Sequence, residues 1–327
     1  MNPILEQPLL PQSKEEIIST AELSLGRRLE NKPPSLTTEQ LENLVKNHRP
    51  KNRLVALRSH LWTLKPKKID PSLSRDLERG WLLPYLLTIE SQTWGRWDYW
   101  IETTLAQKII DRPIPQISFS ATGEYATNQN SGARKHLEKC LDLIPNHGSY
   151  SGWGNWQYFD YLMEWILYGF GFKDQTELPE EPHGCEGASM RLYQTFDLHW
   201  LLAYPNDYLG DILADNQHGK HLGFFPTPHT VVKLMVALQL GHEGDCRDKS
   251  VFDCCMGTGR MLLEASNYSL CLYGIDINRT VVLATTVNAY IYAPWLAKGF
   301  KFLAAEVVES KSKAPAIEPL IVVKQLV

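Results

Sequence analysis

The sequence predicts an α/β fold: a Rossmann-like parallel sheet toward its C-terminal end, preceded by a mainly α-helical region. Three observations carry this. Val251-Phe252-Asp253-Cys254-Cys255-Met256-Gly257-Thr258-Gly259-Arg260 reads as strand, glycine turn and helix start. Tyr273-Gly274-Ile275-Asp276-Ile277-Asn278 reads as a second strand ending on an acid, about 20 residues on, at the spacing of a nucleotide-type cofactor site. The first 200 residues, by contrast, are dominated by helical apolar periodicity. The chain divides into residues 1–35, 36–202 and 203–327.

Residues 1–35 are Pro-rich, with a polar helical piece around Lys14 to Arg28. Thr37 or Thr38, followed by Gln40 and Glu42, marks another helix start. Residues 46–68 hold Lys46, Arg49, Lys51, Arg53, Arg58, Lys65, Lys67 and Lys68 and no acid. Such a block suits a phosphate-contacting surface, because clustered cations displace counterions from DNA. It equally suits a solvated helix face balanced by acids elsewhere, and a net charge of −4 favours that second reading. Arg49, Lys51, Arg53, Arg58, Lys65, Lys67 and Lys68 are the candidate DNA contacts.

Leu77 to Asp111 and Trp153 to Phe172 are helical and aromatic. Trp156, Phe159, Met163, Ile166, Leu167 and Phe170 share one helix face, which favours core packing over a base-stacking platform. Residues 112–132, rich in Pro, Ser, Thr, Gly and Asn, read as a loop. Lys173 to Gly187, with Pro179 and Pro182, reads as a linker, and Arg191 to Leu202 as one further apolar helix. His183 and Cys185 lie close in that linker, but two nearby ligands do not make a metal site.

In the C-terminal part, Leu222-Gly223-Phe224-Phe225-Pro226-Thr227-Pro228 leads into an amphipathic helix from His229 to Leu240. Thr227 is the expected N-cap, Pro228 the helix start, and Val231, Leu234, Met235 and Leu238 the apolar face. Val251 and Phe252 then end a buried strand. Gly257 and Gly259 let backbone approach a ligand, and Arg260 to Ala265 open a helix whose free N–H groups face it. Asp276 ends the next strand, where its carboxylate can accept from both ribose hydroxyls. A dinucleotide fingerprint needs a third small residue, but Leu262 stands there, and Asp253 beside a pyrophosphate would be repulsive. No Gly-Lys-[Ser/Thr] follows the turn, which excludes a phosphate loop. A cationic ligand with an α-amino group fits better, and S-adenosylmethionine is such a ligand.

At this point the sequence resembles the N6-adenine DNA methyltransferases, most of all the modification subunits of type I restriction systems. Their G-[QF]-F/Y-x-T-P element is matched by Phe225, Thr227 and Pro228. Their D-P-x-C-G-[ST]-G turn is matched by Asp253, Gly257, Thr258 and Gly259, with Cys254 in place of the Pro, and their G-x-[DE]-[IL] strand by Gly274, Asp276 and Ile277. Tyr208-Leu209-Gly210-Asp211-Ile212-Leu213 looks like the family's approach to these elements. The resemblance covers roughly residues 205 to 305. It implies an S-adenosylmethionine-dependent methyltransferase domain in which Asp253, Cys254, Gly257, Thr258 and Gly259 hold the methionine end. Asp276 would then hold the ribose and Ile277 the adenine, with Phe225, Thr227 and Pro228 closing the methionine pocket. It also implies DNA as substrate and a second methyltransferase or specificity subunit as partner.

The family's [ND]-P-P-[YFW] loop, which grips the target amine and stacks on the flipped base, is absent from the sequence. Asn31-Lys32-Pro33-Pro34 has an inserted Lys, and Asp70-Pro71-Ser72 lacks the second Pro. After Asp276 the candidate strand is Leu320 to Val323, followed by Lys324 to Val327, so the domain is expected to be C-terminally truncated. No catalytic residue is assigned. Two classes of function follow: an adenine-N6 methyltransferase or subunit of one, and an inactive methyltransferase-fold protein acting through DNA or a protein partner. Six Cys with no C-x-x-C pair, no signal peptide and no transmembrane run lead to the expectation of a reducing cytoplasm, with neither metal nor membrane.

Overall fold

The computed structural model describes residue 77 and residues 79–119, 128–145, 156–215, 225–241, 244–300 and 302–303. Residues 1–35, the Thr37/Thr38 helix start, the charge block at 46–68 with all seven candidate DNA contacts, Trp153, Leu222 to Phe224 and Leu320 to Val323 lie outside the described residues.

The described chain begins with α1 (Leu83–Thr93), α2 (Arg96–Ala106), α3 (Asn128–Asp142), α4 (Gln157–Phe170), α5 (Ala188–Thr195), α6 (Leu198–Ala203) and α7 (Tyr208–Asp215). It continues with α8 (His229–Leu240), β1 (Ser250–Asp253), α9 (Arg260–Ala265), β2 (Cys271–Gly274), α10 (Arg279–Tyr292) and α11 (Pro294–Lys298). The α/β expectation holds in its coarse form: a helix-rich chain with a small parallel sheet. β1 pairs with β2 in register Ser250 to Cys271 through Asp253 to Gly274, and α9 is the crossover between them.

The aromatic helices are core. Trp97, Tyr99 and Trp100 on α2, and Phe159, Tyr161, Trp165 and Phe170 on α4, are all buried. Phe170 stacks flat on Tyr290 of α10, with centroids 5.2 Å apart. α4 packs along α10, and the apolar core runs from Trp81 to Leu303 without a break at residue 203.

Several local expectations are corrected. The helical stretch from Leu77 is two helices, α1 and α2, parted at Trp94 and Gly95. Arg191 to Leu202 belongs to two helices as well, because the Asp197 carboxylate accepts from His199 N and starts α6 afresh. The expected loop at 112–132 ends earlier, since α3 begins at Asn128. Lys173 to Gly187 carries no helix or strand and connects α4 to α5, with its end fixed by the Glu181 carboxylate accepting from Gly187 N and Ser189 N. Thr227 is not the cap of α8: the N-cap residue is Pro228 and no side chain caps that end.

The apolar face of α8 is the reverse of the one expected. His229, Val232 and Val236 are buried, whereas Val231, Leu234, Met235 and Leu238 are exposed. The helix packs on α9 along the narrower stripe, and periodicity cannot tell which of two apolar stripes meets a neighbour. Leu234→Ala is therefore expected to change stability by no more than about 0.5 kcal/mol. Val236→Ala, on the buried stripe, should cost about 2 kcal/mol; urea titrations of the two variants compare them directly.

β1 is also less buried than predicted. α9 covers one sheet face, where Leu262 lies against Gly274, and strand alternation turns Phe252 to the other, 60% exposed. β2 stops at Gly274, so Asp276 lies beyond the strand it was expected to end. The path still runs beside β1: Ile275 N donates to Asp253 O, and Met256 N donates to Ile275 O. Those two bonds carry the acid to the turn.

Glu90 is nearly sealed from solvent on α1, and its carboxylate accepts from Arg96 N at 2.7 Å and Trp97 N at 3.0 Å, covering the start of α2. Burial outweighs these bonds and pushes its pKa from 4.5 up to about 7. With the folded pKa raised, this group's contribution to stability is full below pH 4.5 and is lost as pH rises through about 7. Comparing Glu90→Gln with the parent across pH 4 to 8 should show their stability difference shifting toward the variant by about 3 kcal/mol. Parallel curves would refute it.

Candidate functional site

The glycine turn is shaped by three contacts. Gly259 N donates to Met256 O at 2.8 Å, closing the turn. Gly259 has φ +82°, and a Cβ there would lie 2.7 Å from Thr285 Cγ2, so both conformation and space require glycine. Thr285 Oγ1 in turn donates to Gly257 O at 2.6 Å, fastening the turn to α10.

The two acids stand at this turn. Asp276 Oδ2 accepts from Gly257 N at 2.9 Å, and its Oδ1 accepts from Asn278 N at 2.9 Å. Each carboxylate oxygen keeps acceptor capacity for a hydroxyl. Asp253 Oδ1 accepts from Cys255 N at 3.1 Å, and Cys254 and Cys255 are both exposed. The neighbouring Cys254 thiol pushes the Cys255 pKa up. Phe225 and Ile277 are 84% and 77% exposed, two apolar side chains with little covering them in the protein itself. Thr227 and Pro228 are exposed.

Thr258 differs from the expectation in its direction. It is buried, and its hydroxyl donates to Asp207 Oδ2 at 2.6 Å. Asp207 itself was missed by sequence reasoning. Its carboxylate also accepts from Gly210 N at 3.0 Å, Asn288 Nδ2 at 2.9 Å and Arg260 Nε at 3.0 Å. Arg260 reaches Asp211 Oδ1 at 2.7 Å through Nη2, and Thr227 O at 3.1 Å through Nη1. Asn288 Nδ2 donates a second bond to Thr258 O at 3.1 Å. Burial, opposed by Arg260 and helped by Asp207, pushes the Asp211 pKa up to about 6, and burial beside Arg260 holds His229 down at about 4. The sequence signal for Asp207 was its place three residues before Gly210, where a side chain caps a helix. For Arg260 it was a charge directly after the turn.

The residues suit a ligand with ribose hydroxyls and a positive end. The site offers two carboxylates as hydrogen-bond acceptors and a turn whose Gly257 and Gly259 carry no Cβ, flanked by exposed apolar groups. Among the described residues no group of three or more His, Cys, Asp and Glu is placed to hold a metal ion. No helix among them is long and apolar enough to cross a membrane. Residues 206–296 match the family model described as N-6 DNA Methylase. No curated protein and no solved structure matches the chain.

Proposed function

We propose, from the premise that residues 206–296 belong to the N6-adenine DNA methylase family, that this chain binds S-adenosylmethionine and serves methylation of adenine N6 in DNA. The single observation that carries the cofactor reading is the Asp276 carboxylate bonded to Gly257 N. It brings the acid expected to hold a ribose onto the turn expected to hold the methionine end. Asp253 then places a negative charge where a sulfonium and an ammonium would lie, and Phe225 and Ile277 are free to cover apolar parts of the ligand. When bound, the ligand's chemistry is a sulfonium methyl open to in-line attack by an exocyclic amine.

The grip on that amine is not encoded in these 327 residues, since no [ND]-P-P-[YFW] tetrapeptide occurs among them. For methyl transfer a partner would supply it, and a second methyltransferase or specificity subunit of a restriction-modification system is the partner of choice. Arg49 to Lys68 remain the candidate DNA contacts, and a reducing cytoplasm suits six free cysteines. The missing tetrapeptide favours one second reading: an inactive protein of this fold that works as a scaffold or DNA-bound module.

Calorimetric titration with S-adenosylmethionine and its demethylated product tests the cofactor reading, with micromolar affinity expected. Absence of heat and of thermal stabilisation would sink it. Transfer of labelled methyl groups to adenine in DNA, with and without the polypeptide encoded immediately downstream, separates the two functions.

A further inference from the structure

We propose that Asp207 and Arg260 form a positioning pair that holds the methionine-end half of the site in its binding geometry, an inference that rests on the cofactor reading above. Three segments far apart in sequence converge on these two charges. Asp207 takes the Thr258 hydroxyl of the glycine turn and Gly210 N of α7, while Arg260 takes the carbonyl of Thr227. The Arg260 guanidinium bridges Asp207 and Asp211, so the residue just before α7 and a residue of its first turn are both tied to the first residue of α9.

None of these groups is placed to touch a ligand. Asp207 and Thr258 are 1% and 2% exposed, and the Arg260 side chain 9%. α7 also comes too close to the turn for any side chain at Gly210, where a Cβ would overlap Asp207 Oδ2. The Asp207 carboxylate accepts four hydrogen bonds, and Arg260 donates from all three of its nitrogens. Such a saturated buried network has one low-energy arrangement, which is how a supporting shell fixes a binding site. By contrast, Asp276 and Ile277 make no bond to the pair. The Asp276 carboxylate takes Gly257 N, one residue before Thr258, and Asn278 N, so the pair acts directly on Thr258 and Thr227 and reaches the acid only through the turn.

That difference between direct and indirect contact provides the test. In Asp207→Asn an amide faces either the Arg260 Nε–H or the donors at Gly210 and Asn288. In Arg260→Lys a single ammonium replaces a three-way fork and cannot keep the Thr227 contact together with both carboxylates. Affinities of the parent chain and both variants are measured by calorimetry for S-adenosylhomocysteine and for adenosine, below the thermal midpoint of each protein. The expected result is a loss of about tenfold or more for S-adenosylhomocysteine, with adenosine binding within about twofold of the parent. A purely structural role would lower the midpoint and leave both affinities of the folded protein alone. Should Asp207→Asn fail to fold, Arg260→Lys, which retains a positive charge, carries the measurement. Parent-like affinity of a folded variant for S-adenosylhomocysteine, or equal losses for both ligands, overturns the positioning role while leaving the cofactor reading intact. Failure of the parent to bind either ligand overturns both.

Discussion

Asp276→Ala is expected to weaken S-adenosylmethionine binding by about a hundredfold or more while leaving the fold in place. A ribose diol on one carboxylate makes two charge-assisted hydrogen bonds, each contributing about 1.5–3 kcal/mol, so affinity should fall about a hundredfold or more. The fold loses less. Asp276 is half-buried, and its bonds to Gly257 N and Asn278 N contribute about 1 kcal/mol apiece. In a thermal scan, the unliganded midpoint should move modestly, and the rise in midpoint on adding ligand should shrink to a small fraction of the parent's at ligand concentrations below about 0.1 mM. A variant that binds as tightly as the parent would show that the acid is only a brace for the turn.

The second large effect falls on stability. Arg96 is fully buried at the start of α2, yet it joins four parts of the molecule. Its Nε donates to Pro115 O at 2.7 Å; its Nη1 donates to Ser266 Oγ at 2.7 Å and Tyr292 O at 2.9 Å; and its Nη2 donates to Asn267 Oδ1. The guanidinium also lies 5.1 Å from the centre of the Trp295 ring. Burial holds its pKa down to about 9, so it remains charged at neutral pH. Arg96→Ala removes the side-chain donor from the Pro115 and Tyr292 carbonyls, leaves Asn267 Oδ1 with only Ile117 N and Ser266 with only its bond to Leu263 O, and opens a cavity at the junction of the helical half with the end of α10. The expected cost is about 3–5 kcal/mol, read as a lower urea midpoint and a thermal midpoint lower by roughly 10 °C. A change under about 1 kcal/mol would mean that water replaces the guanidinium without loss.

How much was legible beforehand differs from element to element. The glycine turn and the start of α9 could be read to the residue, since the helix expected to open at Arg260 does open there. Turn chemistry is local, and at the φ of +82° of Gly259 a side chain is strained whatever surrounds it. The aromatic stripe on α4 could be read as core because Phe159, Met163, Ile166 and Phe170 recur at helical spacing. Asp276 was recognised by its spacing from the turn, but its position two residues past β2 was not, because strand ends depend on what pairs with them. α8 is the clearest failure of pattern reading. Two apolar stripes were present, and the choice between them was made by α9.

The sequence by itself determined the strand-turn-helix unit, the acid beside it, the helical character of the described residues before 203 and the absence of an [ND]-P-P-[YFW] tetrapeptide, because each depends on neighbours along the chain. The tertiary structure alone decided that Thr258 turns inward, that Asp207 and Arg260 tie Thr227, α7 and the glycine turn together, and that Arg96 joins the two halves through one buried guanidinium. Those contacts link residues 30 to nearly 200 positions apart, and a buried charge commits to its partners only when the fold has removed water from around it.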